Sequence, residues 1–302
     1  MRMTPLAALC KTALLSALIA TGFFAGCGGG GENAADAAAP MDRDATEAAA
    51  RESVAAAADA APADFEGTMQ QVVISLGPDA VRSVVGSTDL ETVLAFSPDR
   101  IIEAVHGGEI EADSILRSTL EIDGRKGRLQ TEGQPEYSII DGEQMATHVV
   151  MPEDRTIMTM DPAKLAAAGM AKGRDSGPLD MGAQEVGERE IRGFDTTGYR
   201  FDFMGNVATV WLSEELDAQT GEFFDIWSAL NPLGPVMDVG EGAPVRAVMV
   251  NPETLSGKAG FMPAYTITEF YDVQSGDVAD ERLLLPDGYE QRGMADMGRG
   301  AQ

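Results

Sequence analysis

The sequence predicts a mainly-β protein of the α+β class, an antiparallel sheet carrying a few helices. Three observations predict it. Apolar and polar residues alternate with a period of two through repeated short segments, the spacing of strands with one covered face. Asp123-Gly124 and Asp141-Gly142 separate such segments, as tight hairpin turns do. Helix-period patterns are few and short, and two of them open on a proline behind a capping residue.

The chain opens on a leader. Arg2 and Lys11 precede an apolar run from Thr12 to Gly26. That is the length of a signal-peptide core and short of the ~20 residues a membrane-spanning helix needs. Phe24-Ala25-Gly26-Cys27 closes it, followed by four glycines. Small residues before a cysteine suit a peptidase cleft, and the segment resembles the lipobox of bacterial lipoproteins, with Phe24 where leucine is usual. The expectation is cleavage after residue 26 and a lipid on Cys27. An ordinary secretory signal with an incidental cysteine is the alternative. The cysteine's place at the junction of apolar run and polar linker favours lipidation. Cys10, the other cysteine, would leave with the leader, so no disulfide is expected. By the same resemblance the mature cysteine carries two or three acyl chains, enough for stable anchoring. Gly28 in place of aspartate favours the outer membrane, periplasmic face.

Residues 27–63 read as a tether. They are rich in Ala, Gly, Asp and Glu without an aromatic residue, too poor in apolar surface to offset chain entropy. Residues 64–290 read as one domain, and 291–302 as a disordered tail. Phe65–Leu76 opens the domain as a strand. Ser118, Leu120 and Ile122 alternate with polar residues up to the Asp123-Gly124 turn, and Lys126–Thr131 returns. Tyr137–Ile140 ends at Asp141-Gly142. Met145, Thr147, Val149 and Met151 share one face, and Thr156, Met158 and Met160 come back after Pro152. Tyr199, Phe201 and Phe203 alternate with Arg200 and Asp202. Asn206–Leu212, Val245–Val250, Tyr265–Val273 and Leu283–Leu285 complete the strands. Helices are expected from Ser97-Pro98 to near Gly107, from Asp161-Pro162 over Lys164–Met170, and over Gly221–Leu230. In the last, Phe223, Ile226, Trp227 and Leu230 share a face before Asn231-Pro232. Gly77–Phe96 is ambiguous, with Asp89–Phe96 readable as helix.

Charge excludes some functions. The chain carries 49 Asp and Glu against 22 Lys and Arg, a net −27, and loss of Arg2 and Lys11 with the leader takes it to −29. Such a surface repels nucleic acid and anionic headgroups. Glu109, Glu111 and Asp113 alternate as in a calcium loop. Ser114 stands where that loop needs glycine, and Leu120 where it needs a bidentate glutamate, so the motif fails. His106 and His148, the two histidines, do not make a metal site. Arg174-Asp-Ser-Gly-Pro178 only faintly resembles a serine nucleophile segment, and no phosphate-binding glycine loop is present. No cofactor, metal or catalysis is expected.

Several motifs together resemble an uncharacterised family of bacterial periplasmic lipoproteins. They include Asp64-Phe-Glu-Gly-Thr68, Ile122-Asp-Gly-Arg-Lys-Gly-Arg128, Ile139-Ile-Asp-Gly-Glu143 and Met151-Pro-Glu-Asp-Arg-Thr-Ile-Met158. Gly187-Glu-Arg-Glu-Ile-Arg-Gly-Phe194, Val210-Trp-Leu-Ser213 and Leu285-Pro-Asp-Gly-Tyr289 complete the set. That family is similar in pattern to Lol-type lipoprotein carriers and outer-membrane lipoprotein-sorting proteins. The resemblance implies a strongly curved sheet, a half-barrel with helices across its concave face.

Such a trough would need a greasy wall. Met145, Val149 and Met151, with Met158 and Met160 on the returning strand, supply one row. Tyr199, Phe201 and Phe203 supply another, and Val207, Thr209 and Trp211 a third, with Trp227 on the covering helix. Methionine suits surfaces that accept varied ligands. The expected function is a membrane-anchored periplasmic module binding a lipid or other hydrophobic ligand. The alternative is an envelope-structural or protein-interaction lipoprotein whose core is filled.

Overall fold

A computed structural model describes residues 65–161, 182–203, 205–230, 239–258 and 262–293. The leader, Cys27, the tether, the Lys164–Met170 helix and the Arg174–Pro178 segment lie outside them.

One open twelve-stranded sheet organises the described chain, in the order β12-β6-β5-β4-β3-β2-β1-β11-β10-β9-β8-β7. β1 (Glu66–Leu76) lies between β2 (Ser114–Asp123) and β11 (Tyr265–Ser275). From β2 the chain meanders outward through β3 (Lys126–Thr131), β4 (Tyr137–Asp141), β5 (Ala146–Met151) and β6 (Thr156–Met160). On the other side lie β10 (Ala243–Val250), β9 (Asn206–Ser213), β8 (Phe194–Phe203) and the edge strand β7 (Gln184–Ile191). All these pairs are antiparallel. β12 (Glu290–Gly293), which crosses the domain limit expected at residue 290, joins β6 in parallel.

The hairpin turns fall where the Asp-Gly pairs place them. Asp123 pairs Lys126 and Asp141 pairs Ala146. In the second turn Asp141 Oδ1 accepts from the amides of Glu143 and Gln144. That leaves Met145 in the left-handed region, φ 48°, so β5 starts one residue later than Met145.

Helices cover both faces of the sheet, which corrects the expectation of helices on one side only. α1 (Pro78–Val85), α2 (Leu90–Ala95) and α3 (Pro98–His106) follow β1. α4 (Glu214–Thr220) and α5 (Phe223–Leu230) follow β9, and α6 (Pro252–Leu255) follows β10. Register settles the sides, because directly opposed residues share a face and successive residues alternate. Val72 aligns with Glu269, Glu269 with Arg246, and Arg246 with Trp211. This is the face α2 and α3 cover: Arg246 binds Asp99 of α3, and Arg200 binds the Leu94 carbonyl of α2. Met69, Leu120 and Leu129 align on the opposite face with Phe270 of β11, where α5 packs. The rings of Phe224 and Trp227 meet Phe270 edge-on at 5.4 and 5.6 Å. β1 records the change: alternate residues are buried in its first half and every residue in its second.

Leu283–Leu285 is not a strand. It follows a 3₁₀ turn at Asp280–Arg282, and Leu285 packs with Tyr137 and Tyr289 over Ile139, Val150 and Ile157. The alternation is real, with Leu283 buried and Leu284 exposed, but the segment crosses a sheet face instead of extending an edge. Among the described residues no helix is long and apolar enough to cross a membrane.

Candidate functional site

The expected greasy wall does not converge. β5 and β8 stand eight strand positions apart in an open sheet, roughly 38 Å at about 4.8 Å per step along the sheet. Val149 aligns with Met158, and Met151 and Met160 share their face. Val149 and Met158 are buried, Met151 and Met160 half-buried. Tyr199 and Phe203 pack instead around Phe201, Ala208, Val210 and Leu212 in a separate cluster. Trp211 pairs with Gly198 and therefore points to the other side of the sheet from Phe201. Met145 and Trp227 are buried in the main core, Trp227 stacked 5.7 Å from Phe224.

A cavity of about 170 Å³ exists elsewhere, between the α2–α3 segment and strands β7 to β11. Residues Val93 to Pro98 form its roof. Asp89 shapes that segment, since its carboxylate accepts from Thr92 N at 3.0 Å and Thr92 Oγ1 at 2.8 Å and so starts α2. These bonds hold the Asp89 carboxyl below its ordinary pKa. Pro98 sets the first turn of α3, as a proline at that position does. Trp211, Val248, Val250 and Tyr265 supply the apolar floor, and Arg189, Arg200 and Thr209 the polar wall. Of the residues expected to form the greasy wall, Thr209 and Trp211 line this cavity.

Gly198 admits Trp211 to the site, because a Cβ there would lie 2.7 Å from the indole Nε1. Arg189 lies over the same ring, its guanidinium carbon 4.8 Å from the centroid, within reach of a cation–π attraction. Arg200 donates from Nε to Thr209 Oγ1 and from Nη2 to the Leu94 carbonyl, both at 3.3 Å. Tyr265, fully buried, has its phenol pKa pushed up by burial.

Beside the cavity runs a charge network. Arg246 Nε donates to Glu269 Oε1 at 2.6 Å and its Nη2 to Asp99 Oδ1 at 2.6 Å. Arg192 Nη2 meets Glu269 Oε2 at 2.7 Å. Burial pushes the Asp99 carboxyl up, but the Arg246 bond and the charges of Arg246 and Arg189 outweigh it and hold the group low. Arg246 keeps a buried Nη1 without a partner. Both acids in this network are thus neutralised by arginines.

His106 ends α3 at the surface. His148 is buried in β5, with Nδ1 3.0 Å from Thr159 Oγ1 and Nε2 unpartnered. No group of three metal-ligating side chains occurs among the described residues. Sequence reasoning missed Arg189, Arg200 and the α2–α3 roof. The period-two pattern marks inward apolar residues, whereas these arginines occupy polar positions and meet only because β8 folds beside β7 under a helical segment a hundred residues earlier.

No family model matches the chain, and no curated protein matches it. Among solved structures, PNGF-II in space group P21 is similar over 77% of this chain and 33% of its own, at 12% identity and TM-score 0.39. PNGF-II in space group C2 is similar over 77% and 32%, at 11% identity and TM-score 0.38. The chain therefore spans about a third of the length of these proteins, and a likeness at this level supports no inference about fold or function.

Proposed function

We propose that the chain is a lipid-anchored protein of the bacterial envelope that holds a small hydrophobic ligand beneath its α2–α3 segment. The anchor is the acylated Cys27, at the periplasmic face of the outer membrane, with residues 28–63 as tether. The binding part rests on one observation, the cavity floored by Trp211, Val248, Val250 and Tyr265. Its ~170 Å³ lies below the roughly 300–1,000 Å³ of pockets that enclose drug-sized ligands. It fits a short acyl or aryl group, or one end of a longer lipid. The Lol-type arch belongs to this reading, with the sheet curving around the α1–α3 side. The reading involves no catalysis, cofactor, metal or nucleic acid.

Two measurements test it. Membrane fractionation of cells should find the full chain in the outer-membrane pellet and its Cys27→Ser variant in the soluble periplasmic fraction; equal distribution of the two removes the anchor. Nile red should gain fluorescence on the full chain and lose it when 1-octanol displaces it. No gain, or a gain that octanol leaves untouched, removes the ligand site.

A filled-core interaction lipoprotein is the second reading. The packing of Phe201 and Trp227 into closed clusters favours it. Crosslinking in cells that captures a protein partner, with no small molecule on the purified chain, would select it.

A further inference from the structure

We infer that the ligand of this cavity is anionic, a short amphiphile whose carboxylate or phosphate head sits between Arg189 and Arg200 while its tail lies against Trp211 and Val248. This rests on the reading that the cavity is a ligand site.

The argument begins with charge. Acidic residues outnumber basic ones 49 to 22, yet the residues lining this cavity include two arginines and no carboxylate. The nearest acids are already matched. Asp99 and Glu269 bind Arg246, and Glu269 also binds Arg192. Arg189 also acts on Asp99 through its charge, and the four arginines Arg189, Arg192, Arg200 and Arg246 against the two acids Asp99 and Glu269 leave an excess of positive charge beside the cavity. Alternation carries the acids of β7 away from the cavity. Arg189 pairs with Thr196 on the cavity side, while Glu188 and Glu190 pair with Thr197 and Asp195 on the other. A bulge between Glu185 and Gly187 brings Val186 to the cavity wall.

Donor count points the same way. A guanidinium presents five N–H groups in a planar fork. Arg200 engages two of them, both with neutral acceptors at 3.3 Å. Among the described residues Arg189 has no side-chain hydrogen bond or ion pair; it lies over the Trp211 ring, and its charge reaches Asp99. Its stacking fixes the plane of the fork, which lowers the ordering cost when an oxyanion arrives. Two arginine forks beside one wall suit a bidentate carboxylate or phosphate. The floor of Trp211, Val248, Val250 and Tyr265 excludes a bare inorganic anion as the best-fitting occupant, since it would leave that surface uncovered.

The test uses three probes with one tail, octanoate, octyl phosphate and 1-octanol, titrated calorimetrically into the full chain at pH 7 and low salt. The expected result is that at least one anion binds tenfold or more tightly than octanol. The stronger of the two identifies the head. R189Q and R200Q should each bring that anion to within about threefold of octanol measured on the same variant. Arg200 also ties down Leu94, so if R200Q fails to fold, R189Q decides, because Arg189 is exposed and, among the described residues, makes no side-chain hydrogen bond or ion pair. Octanol binding as tightly as both anions overturns the anionic head and leaves the hydrophobic site standing. Anion binding that R189Q leaves undiminished also overturns it. Failure of all three probes to bind removes the site and the inference together.

Discussion

Glu269 is fully buried in the middle of β11, between Arg246 and Arg192. Taking a carboxylate out of water is costly, and two guanidinium groups make it tolerable only while all three stay together. Substituting Glu269→Gln leaves Arg246, itself 2% exposed, with Asp99 alone as counter-charge, and takes the carboxylate from Arg192. The expected loss is about 3–5 kcal/mol of unfolding free energy, read as a lower urea midpoint with unchanged slope. His148 offers a second measurement at this scale. Burial pushes its pKa down and the Asp141 charge only partly opposes that. The folded imidazole thus takes up its proton at lower pH than the unfolded one, whose pKa is about 6.5. Stability is unaffected above that value and falls as pH drops through it toward the folded pKa. Thermal melts between pH 7.5 and 5.5 should fall more steeply for the natural chain than for His148→Gln. Equal slopes would remove His148 as a cause. Neither residue was legible as special in sequence, because burial of a charged side chain depends on which strands become neighbours.

At the scale of elements, α5 and the sheet touch through glycines. A Cβ on Gly127 would lie 2.5 Å from the Phe223 ring. Gly127→Ala should cost about 1–3 kcal/mol, measured by urea unfolding, and a neutral result would place α5 farther from β3 than described. This helix was legible, since Phe223, Ile226, Trp227 and Leu230 recur at its period, as were the hairpins at Asp123-Gly124 and Asp141-Gly142, marked by their turn chemistry. α3 was legible through Ser97-Pro98, whereas α2 was left ambiguous within Gly77–Phe96, although Asp89 caps it. α1 was not read, although Pro78 at its start and Gly86 just past its end carry the expected asymmetry. β7 escaped for a different reason. All its residues but Ile191 are exposed, so no alternation between covered and wet positions is written into Gln184-Glu-Val-Gly-Glu-Arg-Glu. Its charges and bulge also protect the open edge from pairing with other chains.

Across the whole molecule, the order of strands decides what sequence could not. Local pattern gives hairpins, but the pairing of β1 with β11 joins the two ends of the domain, and no local signal announces it. The candidate site shares that origin. Its floor and roof come from β7 to β11 and the α2–α3 segment, so of the expected wall residues only Trp211 and Thr209, two apart on β9, reached it. The same topology predicts where opening starts. β1 and β11 lie at the centre with neighbours on both sides, while β7 and β12 are edges. Amide hydrogen exchange should be slowest in Val73–Leu76 and Tyr265–Phe270 and fastest in β7 and β12. Uniform protection across the sheet would contradict this order.

The described domain begins at Phe65, directly before β1, in the middle of the sheet rather than at either rim. A tug arriving from that direction runs along a strand laced to β2 on one flank and β11 on the other. Its many rungs share the load at once, in shear, instead of parting one by one as they would at an edge. A pull through the proposed tether would therefore meet the sheet at its middle, and resistance to drag should exceed what thermal stability alone suggests.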